Sequence, residues 1–161
     1  MKPRTLSQCS YEVVKGHWPF VLTENLVTDL AYGFRGKHVF RDRGKTLGEL
    51  IGDTLTIFEG YASDGASPHI CTIGKLRIGT PSHHKTAPGF FVHDFLYQFG
   101  RLECCPWTYE QADDVLFHLM RQHGSILAAP YLAAVSIFGG IHRRLTQRPS
   151  ETIECLGGHK Q

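Results

Sequence analysis

The stretch Phe91-Val92-His93-Asp94-Phe95-Leu96-Tyr97 places an imidazole and a carboxylate among large apolar side chains. Such a pair is costly to bury unless each polar atom meets a hydrogen-bond partner or a metal ion. Asp113 repeats the pattern further along, in line with Leu116, Phe117 and Met120 on an apolar stripe. An acid beside one imidazole nitrogen fixes the tautomer and leaves the other nitrogen for a proton or a metal. His93 and Asp113 are therefore candidate catalytic residues, with Tyr97, four residues after His93 and on the same helical face, as their support. Asp64 and Asp94 are candidate metal ligands. Asp64 sits in the turn Ser63-Asp64-Gly65-Ala66-Ser67-Pro68 at a strand end, where functional side chains collect. Carboxylates suit a hard ion such as Ca²⁺ or Mg²⁺. Zn²⁺ would need more histidine, with His69, His83 and His84 as the available donors. Asp114 lines up with His118 and Arg121 instead, and is expected to face water.

The elements that must hold these groups follow from local signals. Thr86 is a plausible N-cap with Pro88 in the first turn, and that helix should end near Gly100. Thr108-Tyr109-Glu110-Gln111 has the form of a capping box and opens a second helix that should stop at Gly124. A short connection makes the two antiparallel neighbours. His93 lies roughly 10 Å from the end of the first and Asp113 roughly 7 Å into the second, so the two come to nearly the same level. Residues 125–145 read as a third helix. Before residue 86 the pattern is β: Tyr11–Val14, Pro19–Thr23 and Asn25–Tyr32 are short apolar or alternating runs punctuated by glycine, and Asp53–Phe58 alternates as a half-buried strand does. Residues 70–86 read as a loop with one short strand. Strands followed by helices give an α+β fold, an N-terminal antiparallel β-meander packed on a C-terminal three-helix unit. One domain is expected over 1–161: 1–86 mostly β and loops, 87–145 helical, and a polar tail over 146–161 that frays.

Composition narrows the classes. A formal net charge of +2 with ten histidines gives no strong nucleic-acid signal, and Arg143-Arg144 with Arg148 is a short basic run that suits a helix end. Five cysteines without CxxC spacing suggest reduced thiols in a cytoplasm. No apolar leader opens the chain, and residues 126–141, broken by Pro130 and Gly139-Gly140, are too short for a transmembrane segment.

Four segments in order resemble a family of small bacteriophage and prophage proteins, a domain of unknown function. Glu59–Pro68 is similar to its GF-x-TDGAS-x-P signature, Val92–Tyr97 to its HD-x-LY, Ala112-Asp113 with Met120 and Gly124 to its AD…M…G, and Ala134–Gly139 to its AV-x-x-FG. The likeness spans roughly residues 55–139 and departs at Ser63, where the family carries Thr. It implies a phage or prophage origin, hence the cytoplasm of an infected or lysogenic bacterial host, or the virion, and brings no established activity. His93-Asp94 with Tyr97, and Asp113 on a partner helix, also resemble the site of secreted phospholipase A2. That likeness implies His93 as general base for water, Asp94 as a calcium ligand and Asp113 as the group that orients His93. The glycine-rich calcium loop and the disulfide framework of that family are not evident.

Two functions compete. One is a metal-assisted hydrolase acting on a small-molecule or lipid ester or a cell-wall bond through the His-Asp pair. The other is a non-enzymatic virion component, or a host-interaction or anti-defence protein, that meets a phage or host protein through the third helix near Tyr131, Val135 and Phe138. A fold-specifying reading also stands: a His-Asp hydrogen bond between helices can simply pin their register.

Overall fold

The computed structural model describes residues 2–15, 20–63, 72–73, 76–77, 84–100, 102–133 and 153–156. Eleven strands are defined among them. They are β1 (Arg4–Thr5), β2 (Tyr11–Val13), β3 (Phe20–Leu22), β4 (Leu26–Asp29), β5 (Lys37–Asp42), β6 (Lys45–Ile51), β7 (Thr54–Ile57), β8 (Ala62–Ser63), β9 (Thr72–Ile73), β10 (Leu76–Arg77) and β11 (Ile153–Leu156). Helices α1 (Ala87–Phe99) and α2 (Tyr109–Gln122) follow β10, and a third helix, α3, is described over 128–133. The molecule is α+β, with strands preceding helices.

The main sheet has the order β1-β4-β7-β6-β5-β11, every pairing antiparallel. Period-two alternation turns one face inward: Leu26 and Thr28, Phe40, Leu50, and Leu55 and Ile57 are all buried. The register places Leu26 opposite Ile57 and Leu50 opposite Leu55, so cross-strand neighbours share that face. Arg43 and Gly44 both take positive φ (51° and 76°), the backbone of a two-residue hairpin turn between β5 and β6. Gly48 is the point where α1 meets the sheet. A Cβ there would come within 2.6 Å of the Thr56 carbonyl oxygen and 2.8 Å of the Phe95 ring. The Phe95 ring stands edge-on to Phe40 at 5.5 Å, and Phe99 and Trp107 also pack on Phe40.

A smaller sheet, β2-β3-β8, brings Phe20 and Tyr11 against Phe90 and Phe91 of α1. β9 and β10 form a two-stranded sheet. The tail does not fray throughout. Ile153–Leu156 pairs with β5 from Asp42 to Val39 and covers what would otherwise be an open sheet edge.

Helix ends follow their signals. α1 is bounded by Thr86 and Gly100, and α2 carries a complete capping box in which Thr108 Oγ1 accepts from the Gln111 N–H and Gln111 Oε1 accepts from the Thr108 N–H. The two helices run antiparallel. Gly89 lets them approach, since a Cβ there would lie 3.0 Å from Met120 and 3.1 Å from Leu116. The Trp107 indole N–H donates to the Leu96 carbonyl at 2.9 Å and locks the connection.

Candidate functional site

On α1 the positions 89, 93 and 97 form one stripe, four residues apart, and that stripe faces α2. Gly89 meets Leu116 and Met120, His93 meets Asp113, and Tyr97 meets Asp113 and Tyr109, in the order that antiparallel helices require. His93 Nε2 lies 3.0 Å from Asp113 Oδ1. The same oxygen accepts the Tyr97 hydroxyl at 2.6 Å. The Tyr97 ring packs on the imidazole with centroids 4.2 Å apart, and Tyr109 stands edge-on to Tyr97 at 4.9 Å. The structure therefore brings His93, Asp113 and Tyr97 together.

The other ring nitrogen faces a second acid. His93 Nδ1 is 3.6 Å from Asp94 Oδ1, too long for a direct hydrogen bond. Asp94 Oδ2 accepts the hydroxyl of Ser63, which is fully buried at the end of β8. Ser63 is the functional residue that motif reading passed over. Asp94 thus joins the small sheet to α1, and Asp113 joins α1 to α2.

His93 is 9% exposed and Asp113 7%. Asp94 keeps more of its side chain in contact with solvent than His93 or Asp113 does. Burial pulls the imidazole pKa down, but the hydrogen bond to Asp113 and the charges of Asp94 and Asp113 outweigh it, and the net shift is upward. With Nε2–H donated to Asp113, a neutral ring would aim the Nδ1 lone pair at the Asp94 carboxylate; a proton there relieves the repulsion.

Asp114 faces water and lies beside His118, as its helical position predicts, with 47% of its side chain exposed. It accepts the Tyr32 hydroxyl at 2.6 Å and lies 3.3 Å from His118 Nε2, tying the chain after β4 to α2. That bond and burial raise the Tyr32 pKa.

The expected metal ligands divide. Asp64 lies outside the described residues, as do His69 and His83. Asp94 offers one carboxylate whose oxygens already meet Ser63 and the His93 ring edge. Calcium takes about six to eight oxygens, and no group of three or more metal-binding side chains occurs among the described residues. The described donors do not fit a divalent cation without further ligands.

The cysteines correct one expectation. Cys104 is disulfide-bonded, so the thiols are not all reduced; its partner lies outside what is described. Cys9 and Cys105 are free, and burial pushes both thiols up to about 12, which leaves neither a ready nucleophile. Among the described residues no helix is long and apolar enough to cross a membrane.

Comparison of the chain with protein-family models, with curated proteins and with solved structures finds no match.

Proposed function

We propose that this chain is a phage or prophage hydrolase in which His93 acts as general base. The observation that carries the reading is the shared acceptor. One oxygen of Asp113 holds both His93 and Tyr97, while the opposite edge of the imidazole points to the more open Asp94. A register-pinning contact needs one bond. Here the ring is fixed by Asp113 on one side, and its other nitrogen faces Asp94 at 3.6 Å without a direct hydrogen bond, the arrangement of an oriented base.

The chemistry follows from that nitrogen. Neutral His93 takes a proton from water at Nδ1 as the water oxygen attacks an ester carbonyl. Asp113 and Asp94 stabilise the imidazolium that forms. The ring then returns the proton to the departing alkoxide, giving an acid and an alcohol. Asp113 orients, Tyr97 holds Asp113, and Ser63 holds Asp94. The order of the four motifs supports the phage assignment, and the His-Asp-Tyr arrangement supports a lipid ester ahead of a cell-wall bond. The divalent cation expected on Asp64 and Asp94 enters as a separate proposal, tested by elemental analysis of the purified protein. The disulfide at Cys104 fits a virion or cell-surface location better than a reducing cytoplasm.

The non-enzymatic reading has less support. Tyr131, one of the three residues expected to form an exposed patch, is 2% exposed and packs on Leu116, Met120 and Ala128. Val135 and Phe138 lie outside the described residues.

Purified chain assayed on nitrophenyl esters, mixed phospholipid micelles and peptidoglycan should turn over one of them. His93→Gln should lower the rate by about 100-fold or more while the melting transition stays in place. Turnover on none of the three, full activity in His93→Gln, or loss of its melting transition would each overturn the assignment.

A further inference from the structure

We propose a second site, independent of His93: a cleft between the N-terminal strand and the C-terminal half of α2 that binds a phosphate ester group. The cleft is a shallow one, open to solvent over much of its extent, with a volume of about 540 Å³. Lys2, Arg4 and Arg121 line it together with His118, Gln122 and the Phe117 ring. Every charged side chain lining it among the described residues is a cation.

The walls are held in place. The Thr5 N–H donates to Gln122 Oε1 at 3.0 Å, and Thr5 Oγ1 lies 2.9 Å from His123 Nε2, so the strand is fastened to the helix end. Arg4 is tethered by Asp29 at 3.6 Å yet stays well exposed. The Arg121 guanidinium sits over Phe117, 5.8 Å from the ring centroid. His118 is held by Asp114. These tethers orient the donors before a ligand arrives and reduce the ordering cost of binding.

Charge decides the ligand class. Asp29 offsets Arg4, and the helix C-terminus contributes roughly half a negative charge. Asp114, behind His118, adds a second carboxylate, so Lys2, Arg4 and Arg121 together leave a net excess of only about half a positive charge, concentrated on Lys2 and Arg121. A phosphate monoester carries about −1.5 to −2 at neutral pH and accepts from several donors at once. A single carboxylate would use only part of this set, whereas the guanidinium fork matches phosphate oxygens. Phe117 supplies an apolar wall for the organic part of the ester.

The phosphate group could belong to a soluble ester or to a lipid headgroup, and one experiment separates them. Wild type and the double variant Lys2→Gln/Arg121→Gln are titrated with glycerol 3-phosphate, and with vesicles containing phosphatidic acid or of phosphatidylcholine alone. Both replaced side chains are exposed, so the melting transition should be unchanged. Wild type should bind saturably, more weakly at high salt, and about tenfold or more tightly than the double variant. Binding of glycerol 3-phosphate alone assigns a soluble ester. Binding of phosphatidic acid vesicles and not phosphatidylcholine assigns a monoester headgroup. No saturable binding to any probe, equal binding by the double variant, or equal binding to both vesicle types overturns the proposal. Should the double variant lose its melting transition, Lys2→Gln alone carries the same comparison.

Discussion

An imidazole set between two carboxylates keeps its proton to higher pH than a free one, and His93 does so in spite of burial. Its folded pKa is raised, so the stabilisation it contributes is complete below the ordinary value of about 6.5 and is lost as pH rises through the folded value. Denaturant unfolding should show stability falling from about pH 6.5 upward, and His93→Gln should flatten that slope. Base catalysis needs the neutral ring, so the rate constant kcat/KM should rise over the same interval. A pH series measuring both therefore sees them move in opposite directions. Asp113→Asn keeps the shape and removes the charge. It should cost about 1–3 kcal/mol of stability, because His93 and Tyr97 lose a charged acceptor. It should also move the inflection of the rate profile to lower pH. Tyr97→Phe should leave that inflection nearly in place, which separates the residue that sets the proton affinity from the one that holds it still.

The two long helices were the most legible elements, because the signals at their ends are local. Thr108 and Gln111 are three apart and cap each other. The spacing of Gly89, His93 and Tyr97 then dictated which stripe faces α2. The pairing of His93 with Asp113 could be read for that reason. The β5–β6 hairpin was not legible. It contains the longest strands, but Lys37, Arg41, Lys45 and Glu49 dilute its apolar alternation, and its turn is made by Arg43-Gly44 rather than the commoner Asn-Gly. β11 was missed because its partner is remote and its own residues are too few to carry a period. Ser63 was named only for the motif it departs from, because its contact with Asp94 depends on β8 ending beside α1. Gly48 looked like punctuation and proves to be the seat of Phe95. Gly48→Ala should destabilise the chain by about 1–3 kcal/mol through overpacking against Phe95 and the Thr56 carbonyl, measured as a lower Tm. The activity of the folded fraction should be unchanged.

Across the whole molecule, the candidate site is where three substructures meet: Ser63 from the small sheet, His93 and Asp94 from α1, and Asp113 from α2. Composition could bound this arrangement only coarsely, since one domain and an α+β order say nothing about which polar groups become neighbours. Redox state is a property of the same scale. Cysteine spacing suggested five free thiols, yet Cys104 is bonded, and pairing across the fold has no local signature. Thiol titration of the denatured, unreduced protein should count three reactive cysteines rather than five. A count of five would return the chain to a reducing compartment.

The margins of the main sheet come from opposite ends of the chain. β1 closes one side and β11 the other, and β11 meets β5 across more than 100 residues of intervening sequence. During synthesis the backbone donors and acceptors on the outer side of β5 stay uncovered until β11 leaves the ribosome. Between the synthesis of β5 and that of β11 the nascent protein is thus exposed to intermolecular strand pairing, and this edge can be sealed only after the helices that carry the proposed chemistry already exist.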